Sequence, residues 1–382
     1  MMKKMQLALA FVMIVSLLAA CTGTPTSAPA VIETQAPATP EPIAPSFATA
    51  TPEPILVTDA LDRTVEFEAY PTRILIVGKA AFMLLDAAFL FPEAPERLIG
   101  YELRSQTGLD FIKTVFPQTS TMTVLDMDAG PEQIAPLNPD LVMMKSNLKE
   151  QLGDQVELLG IKVVYLDLET PEKISKDIQT LGQVFGNKNR ADQLVQLYDT
   201  AAKRITDATA ALSDENKPSV LLLMYTNKGG EIAFSVPPMD YLQSRLVEMA
   251  GGRAIWKDTP TNGWTVVTTE QIAAWNPDMI MMVDYKGKAL EAVNELKQNP
   301  NWQLFSAVQN GKLYAFPLDF QSWDQPDTRW ILGLTWMATK IQPDLFGTIK
   351  MYDEIPAFYA DFYNLSKAEY NEKIQPILKG DF

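Results

Sequence analysis

A thirteen-residue phrase occurs twice in this chain without a gap. The copies are Glu132-Gln-Ile-Ala-Pro-Leu-Asn-Pro-Asp-Leu-Val-Met-Met144 and Glu270-Gln-Ile-Ala-Ala-Trp-Asn-Pro-Asp-Met-Ile-Met-Met282, identical at nine positions and conservative at two more. Each reads as a short helix opened by an acidic residue that suits a positive helix terminus. An Asn-Pro-Asp turn then stops the helix, and an apolar run follows as a buried strand. Chance repetition of a common helix-turn-strand idiom is the plain alternative, but the extent of identity favours two related half-molecules. The polar residues after the strands, Lys145-Ser146-Asn147 and Val283-Asp284-Tyr285, then fall at the carboxyl ends of two sheets. That is where open α/β sheets bind ligands.

The remainder of the chain fits two such halves. Ile55 to Phe67 reads as a small β-hairpin around Asp59-Ala-Leu-Asp-Arg63. Strands at 71–78, 97–100 and 161–166 alternate with helices and make a parallel-sheet α/β lobe over 55–170. Two helical runs follow, 171–184 and 189–212, punctuated by Gly186-Asn187, and they form an inter-lobe segment over 171–213. A second α/β lobe over 214–382 restarts with the buried strand Ser219 to Tyr225. The expected architecture is therefore two Rossmann-like lobes with parallel sheets, joined by one long backbone helix, with a ligand cleft between them.

The N-terminus is of a different kind. Lys3 and Lys4 precede an apolar run from Leu7 to Leu18, and Leu18-Ala-Ala-Cys21 closes it. This resembles the bacterial lipobox, which implies a signal peptide over 1–20 and lipidation of Cys21, the chain's single cysteine. A plain secretory peptide is the alternative. Residues 21–54 are nearly all Pro, Thr and Ala after the cysteine, too poor in core formers to fold, and read as an extended tether. The expected location is extracytoplasmic, held at the membrane through Cys21.

Composition narrows the chemistry. A net charge of -15 argues against nucleic acid and against a polybasic membrane patch. Histidine is absent, which removes Ser-His and Cys-His catalysis and His-based metal sites. No phosphate-binding glycine loop, nucleophile elbow or paired-carboxylate motif is present, so no catalysis and no cofactor are expected.

Several of these features together resemble one family, the substrate-binding proteins of ABC importers for ferric siderophores, haem, cobalamin and, in some branches, molybdate-type oxyanions. The resemblance covers roughly 55–370. It rests on Pro71-Thr-Arg-Ile74, the twin Glu and Pro-Asp phrases, Trp302 with Leu304, Ala307 and Val308, Gly311-Lys-Leu-Tyr314, and Pro326-Asp-Thr-Arg329. It implies two α/β lobes joined by a long helix, and a monomer that hands its ligand to a membrane permease. It places Glu132 and Glu270 where family members dock onto permease arginines, the alternative being that each only favours its helix dipole. Trp264 matches a cleft tryptophan of cobalamin binders, whereas the equivalent first-lobe position is Asp126, a departure from that pattern.

Cleft chemistry is then expected from basic, aromatic and hydroxyl groups at strand ends. In the first lobe these are Lys79, Tyr101, Arg104 and Lys145, with Asp126. In the second they are Tyr225, Trp264, Asp284, Tyr285, Asp319, Trp323 and Arg329, with Asp324 nearby. Cations in one lobe of an acidic protein suit an anionic ligand, and rings suit a flat or chelated organic one. A tyrosinate from Tyr101, Tyr225 or Tyr285 is the available iron ligand if the cargo is haem; iron already wrapped in a chelator requires no protein ligand. Ferric siderophore is the first expectation, molybdate or tungstate next, haem or cobalamin behind. An extracellular enzyme, or a sensor or adhesion module reusing the fold, is the reading from another class.

Overall fold

The computed structural model describes residues 53–103 and 106–382. Cys21, the signal segment, the tether up to residue 52, and Arg104 lie outside the described residues.

The expected hairpin is present as β1 (Ile55–Thr58) and β2 (Thr64–Phe67), antiparallel with Ile55 opposite Phe67. The buried Asp59 carboxylate holds its turn, accepting from the backbone N–H of Leu61 at 2.9 Å and pairing with Arg63 at 2.8 Å.

The first sheet contains β3 (Ile74–Ile76), β4 (Leu98–Glu102), β5 (Thr123–Leu125), β6 (Leu141–Lys145) and β7 (Val163–Leu166). They lie in the order β5-β4-β3-β6-β7, all parallel. The central strands are apolar throughout because helices cover both faces. On one side α1 (Ala81–Ala88) packs into the main core. On the other, a smaller cluster including Leu75, Val77, Val142, Met144 and Tyr165 closes around Ile134 of the short helix α2 (Pro131–Ile134).

Two helices follow, α3 (Pro171–Phe185) and α4 (Lys188–Thr209), packed against each other. Gly186 separates them with φ 69°, and a Cβ there would meet the Tyr70 ring at 2.6 Å. The 22 residues of α4 extend about 33 Å at 1.5 Å per residue.

The second sheet differs from the expected all-parallel form. Its first strand, β8 (Ser219–Lys228), runs on past Tyr225 and returns through Gly229-Gly230 as β9 (Glu231–Val236). Both loop glycines have positive φ, 64° and 97°, as a two-residue type I′ hairpin loop requires. After α5 (Leu242–Met249), β10 (Arg253–Ala254) lies parallel to the start of β8, while β11 (Thr265–Val267) pairs antiparallel with β9. The sheet then regains parallel form with α6 (Thr269–Trp275), β12 (Met279–Val283), α7 (Ala289–Gln298) and β13 (Leu313–Ala315). Helices α8 (Trp330–Ile341) and α9 (Met351–Tyr363) complete the lobe. No described helix is long and apolar enough to cross a membrane.

The two copies of the repeated phrase fold alike in detail. Asn138 and Asn276 both take the left-handed conformation, φ 48° and 42°, which Asn tolerates better than most side chains. Asp140 then accepts from the backbone N–H of Thr72 and Arg73 at 2.8 and 3.0 Å, while Asp278 accepts from that of Ser219 at 2.7 Å. Each aspartate thereby staples the repeat strand to the first strand of its own sheet. The registers match as well, with Leu141 opposite Ile74 and Met279 opposite Val220.

One hydrophobic core runs from α1 through α4 and α8 into the second sheet. At the joint of the lobes it encloses Arg329, which is fully buried and held by Asp86 at 2.6 Å and by Asp319 and Asp327 at 2.8 Å, with its guanidinium 4.5 Å from the Phe111 ring centre. Trp323 is buried here too, donating to Asp319 at 3.0 Å. The expectation that Asp319, Trp323 and Arg329 face the ligand cleft is therefore corrected. A guanidinium this far from water is stable only among carboxylates, and the chain uses these three residues to join its halves.

Candidate functional site

In each sheet the strand order reverses at one point, and there a crevice opens at the carboxyl ends. In the first lobe that point lies between β3 and β6, which lead to Lys79 and to Lys145-Ser146-Asn147. In the second it lies between β8 and β12, which leads to Asp284-Tyr285. A cleft of about 210 Å³ joins the two points, lined by Lys79, Met83 and Lys145 from one lobe and by Tyr241, Trp264 and Tyr285 from the other. A second cavity of about 740 Å³ shares Lys145, Asn147, Glu169 and Tyr241 with it.

The cations of this region differ in availability. Lys79 is exposed and forms no ion pair among the described residues. Lys145 is buried at the end of β6 and meets Glu169 at 2.5 Å and the backbone carbonyl of Asp167. Lys173 pairs with Asp167 at 2.8 Å, and hydrogen bonding to that carboxylate raises the Lys173 ammonium. Arg245 on α5 reaches across the lobes to Glu172 on α3 at 2.9 Å. Partial burial would raise the Glu172 carboxyl, but Thr170, its own backbone N–H and Arg245 bring it below the usual range. A second crossing contact is reciprocal, Gln106 and Gln325 each donating to the other at 2.9 Å.

The facing wall is aromatic. Trp264 stands edge-on to Tyr285 with ring centres 6.1 Å apart. The Tyr285 hydroxyl donates to the buried Asp324 at 2.8 Å, and burial together with that carboxylate pushes the phenol well above its ordinary value. Asp324 itself is raised by burial, against the donors Ser322, Tyr285 and Gln243. No described cluster of acidic or thiol side chains has the makings of a metal centre. The arrangement can hold a ligand by charge on one side and ring faces on the other.

Of the residues expected at the site, Lys79, Lys145, Trp264 and Tyr285 come together in the cleft. Tyr225 and Asp284 instead line another cavity of about 430 Å³ against α7, with Glu291 and Glu295, which shares Tyr285 with the cleft. Tyr101, near the carboxyl end of β4, is buried and donates to Asp110 at 2.7 Å, and burial and that carboxylate raise its phenol. Asp126 is exposed just past β5 and lines none of the cavities described here. Asp324 sits behind Tyr285 instead of facing the ligand space. The sequence reading passed over Met83, Tyr241, Gln243, Gln325 and Glu169. The cue for Glu169 was present, since it follows the end of β7 as Lys145 closes β6. Nothing in local pattern marks Tyr241, which precedes α5 after a Pro237-Pro238 turn.

Glu132 and Glu270 occupy the same position, the second residue of α2 and of α6, and both are exposed with no ion pair among the described residues. The Glu132 carboxylate folds back over Gly130, where a Cβ would lie 2.5 Å from it. The backbone N–H and Thr268 hold the Glu270 carboxyl below the usual range.

Two lobes built on one repeat and meeting at the carboxyl ends of their sheets around a shared cleft have the form of a bilobal binding protein. The family model described as periplasmic binding protein matches residues 106–319, and the chain belongs to that family. An ABC transporter substrate-binding lipoprotein of uncharacterized role from Bacillus subtilis, YvrC, is 26% identical over 226 residues, 58% of this chain and 68% of its own length. The molybdate-binding protein MolA of Haemophilus influenzae is 20% identical over 81% of this chain and 91% of its own. Among solved structures, a periplasmic solute-binding protein from Veillonella parvula superimposes with a TM-score of 0.68 at 24% identity, covering 85% of this chain and 98% of its own.

Proposed function

We propose that this chain is the extracytoplasmic receptor of an ABC importer, capturing a metal chelate and delivering it to a permease in the cytoplasmic membrane. The carrying observation is the pairing of Lys79 and Lys145 on one wall with Trp264, Tyr285 and Tyr241 on the other. Ammonium groups complement anionic oxygens, and rings cover the organic shell of a chelate. A ferric siderophore has both, and is the first choice of cargo. Molybdate is the second reading, favoured by the length over which MolA matches; it would use the lysines and leave the aromatic wall idle. Haem and cobalamin follow, without an imidazole to meet their metal. Permease docking is assigned to Glu132 and Glu270, one on each lobe, and membrane attachment to Cys21 through the Pro/Thr/Ala-rich tether. A monomer suffices for all of this.

The test is a titration of tryptophan fluorescence with ferric chelates, oxyanions, haem and cobalamin, repeated with Trp264→Phe. A ferric chelate is expected to quench the wild type, and Trp264→Phe to lose most of that quenching. A response to molybdate alone would move the cargo to oxyanions, and silence across the panel would overturn the receptor reading.

A further inference from the structure

The Lys145 ammonium is the most deeply placed cation of the cleft, with a side chain only 5% exposed, yet its partner Glu169 is 47% exposed. The two sides of this pair are thus held very differently. Lys145 is fixed at the end of a buried strand and also donates to the Asp167 carbonyl. That carbonyl is itself clamped: Asp177 accepts from the backbone N–H of both Asp167 and Leu168 at 2.7 Å, and Leu168 is locked in the left-handed region at φ 59° with its side chain buried. Among the described residues the Glu169 carboxylate has no such clamp beyond its pairing with Lys145. Beside it Lys173, half-exposed and already facing Asp167 at 2.8 Å, offers a second cation. Glu169 also lines both the cleft and the neighbouring cavity of about 740 Å³, so it borders the two.

We infer that Glu169 is a stand-in anion, occupying on Lys145 the place that an anionic oxygen of the ligand takes, and withdrawing toward Lys173 when that oxygen arrives. The inference rests on the receptor reading for its ligand, but the geometry of the pair is independent of it. A buried ammonium cannot be left bare, so an empty cleft needs a counter-ion of its own. Because that counter-ion must be displaced, a neutral or weakly anionic molecule gains nothing at Lys145, and the site selects for negative charge by internal competition.

The experiment compares wild type, Glu169→Gln, Glu169→Asp and the double variant Lys145→Met/Glu169→Gln. Binding is measured by calorimetry with an anionic ferric tris-catecholate and a neutral ferric tris-hydroxamate, and melting temperature is followed against sulfate at constant ionic strength. Removing a half-exposed ion-pair competitor should tighten the anionic chelate about two- to five-fold and leave the neutral one unchanged. Sulfate should stabilise Glu169→Gln more than wild type, Glu169→Asp by an intermediate amount, and the double variant no more than wild type. Equal sulfate responses of wild type and Glu169→Gln, or equal tightening of both chelates, would overturn the inference. If neither chelate binds any form while the sulfate difference persists, the stand-in role holds and the chelate-receptor reading falls.

Discussion

Replacing Arg329 with Met removes the one cation from a fully buried group of three carboxylates. Asp86, Asp319 and Asp327 approach the guanidinium at 2.6, 2.8 and 2.8 Å, and the side chains of Arg329, Asp319 and Asp327 have no exposure. Methionine fills much of the volume, so the cost is mainly electrostatic. Breaking a buried pair by removing one member costs about 3–5 kcal/mol, because the partner charge is left uncompensated. Here Asp86 can relieve that charge by binding a proton. Asp86 is already pushed well above its ordinary value, chiefly by burial, with Arg329 opposing that rise; without Arg329 it rises further. A carboxyl raised in the folded state contributes stability at low pH and loses it as pH rises through the folded value. Arg329→Met is therefore expected to lose about 3–5 kcal/mol at pH 7 and less at pH 5, read from urea unfolding followed by tryptophan fluorescence. Asp86→Asn in the same background should recover part of the loss. A deficit under about 1 kcal/mol, or one that does not shrink on acidification, would refute the reasoning.

Two further outcomes can be measured. Burial raises the Asp177 carboxyl to about 6 although two backbone N–H groups donate to it. Between pH 4 and 6 the wild type should lose about 3 kcal/mol from this group as it is forced to ionise, and Asp177→Asn, whose amide oxygen can keep both hydrogen bonds, should show a flatter profile by chemical denaturation. Glu132→Ala and Glu270→Ala, singly and together, should leave ligand affinity and melting temperature unchanged while uptake in cells falls; unchanged uptake would end the docking assignment.

The repeat was the most legible part of the chain because its Asn-Pro-Asp turn does the same local work twice. The left-handed Asn and the strand-stapling Asp are backbone requirements, and backbone requirements show in sequence. The return strand β9 was missed although Gly229-Gly230 announced a tight loop, since Glu231 to Val236 followed a strand that seemed complete at Tyr225. For the cleft, position after a strand identified Lys79, Lys145 and Tyr285. The same rule failed for Arg329 and Asp319, whose residue types suit a ligand site and a buried joint equally. What separates the two is burial, which depends on α1 and α9 arriving from distant parts of the chain.

The uninterrupted core at the joint also sets how far the halves can part. Tyr198 on α4 stacks on Trp330 of α8 at 5.5 Å, and the Tyr198 hydroxyl donates to the Thr328 carbonyl at 2.7 Å, next to the buried arginine. A wide gape would tear rings and a guanidinium out of this seam and into water. Spontaneous parting of the lobes is thereby opposed at this seam, and any wide opening would require work done on both lobes from outside.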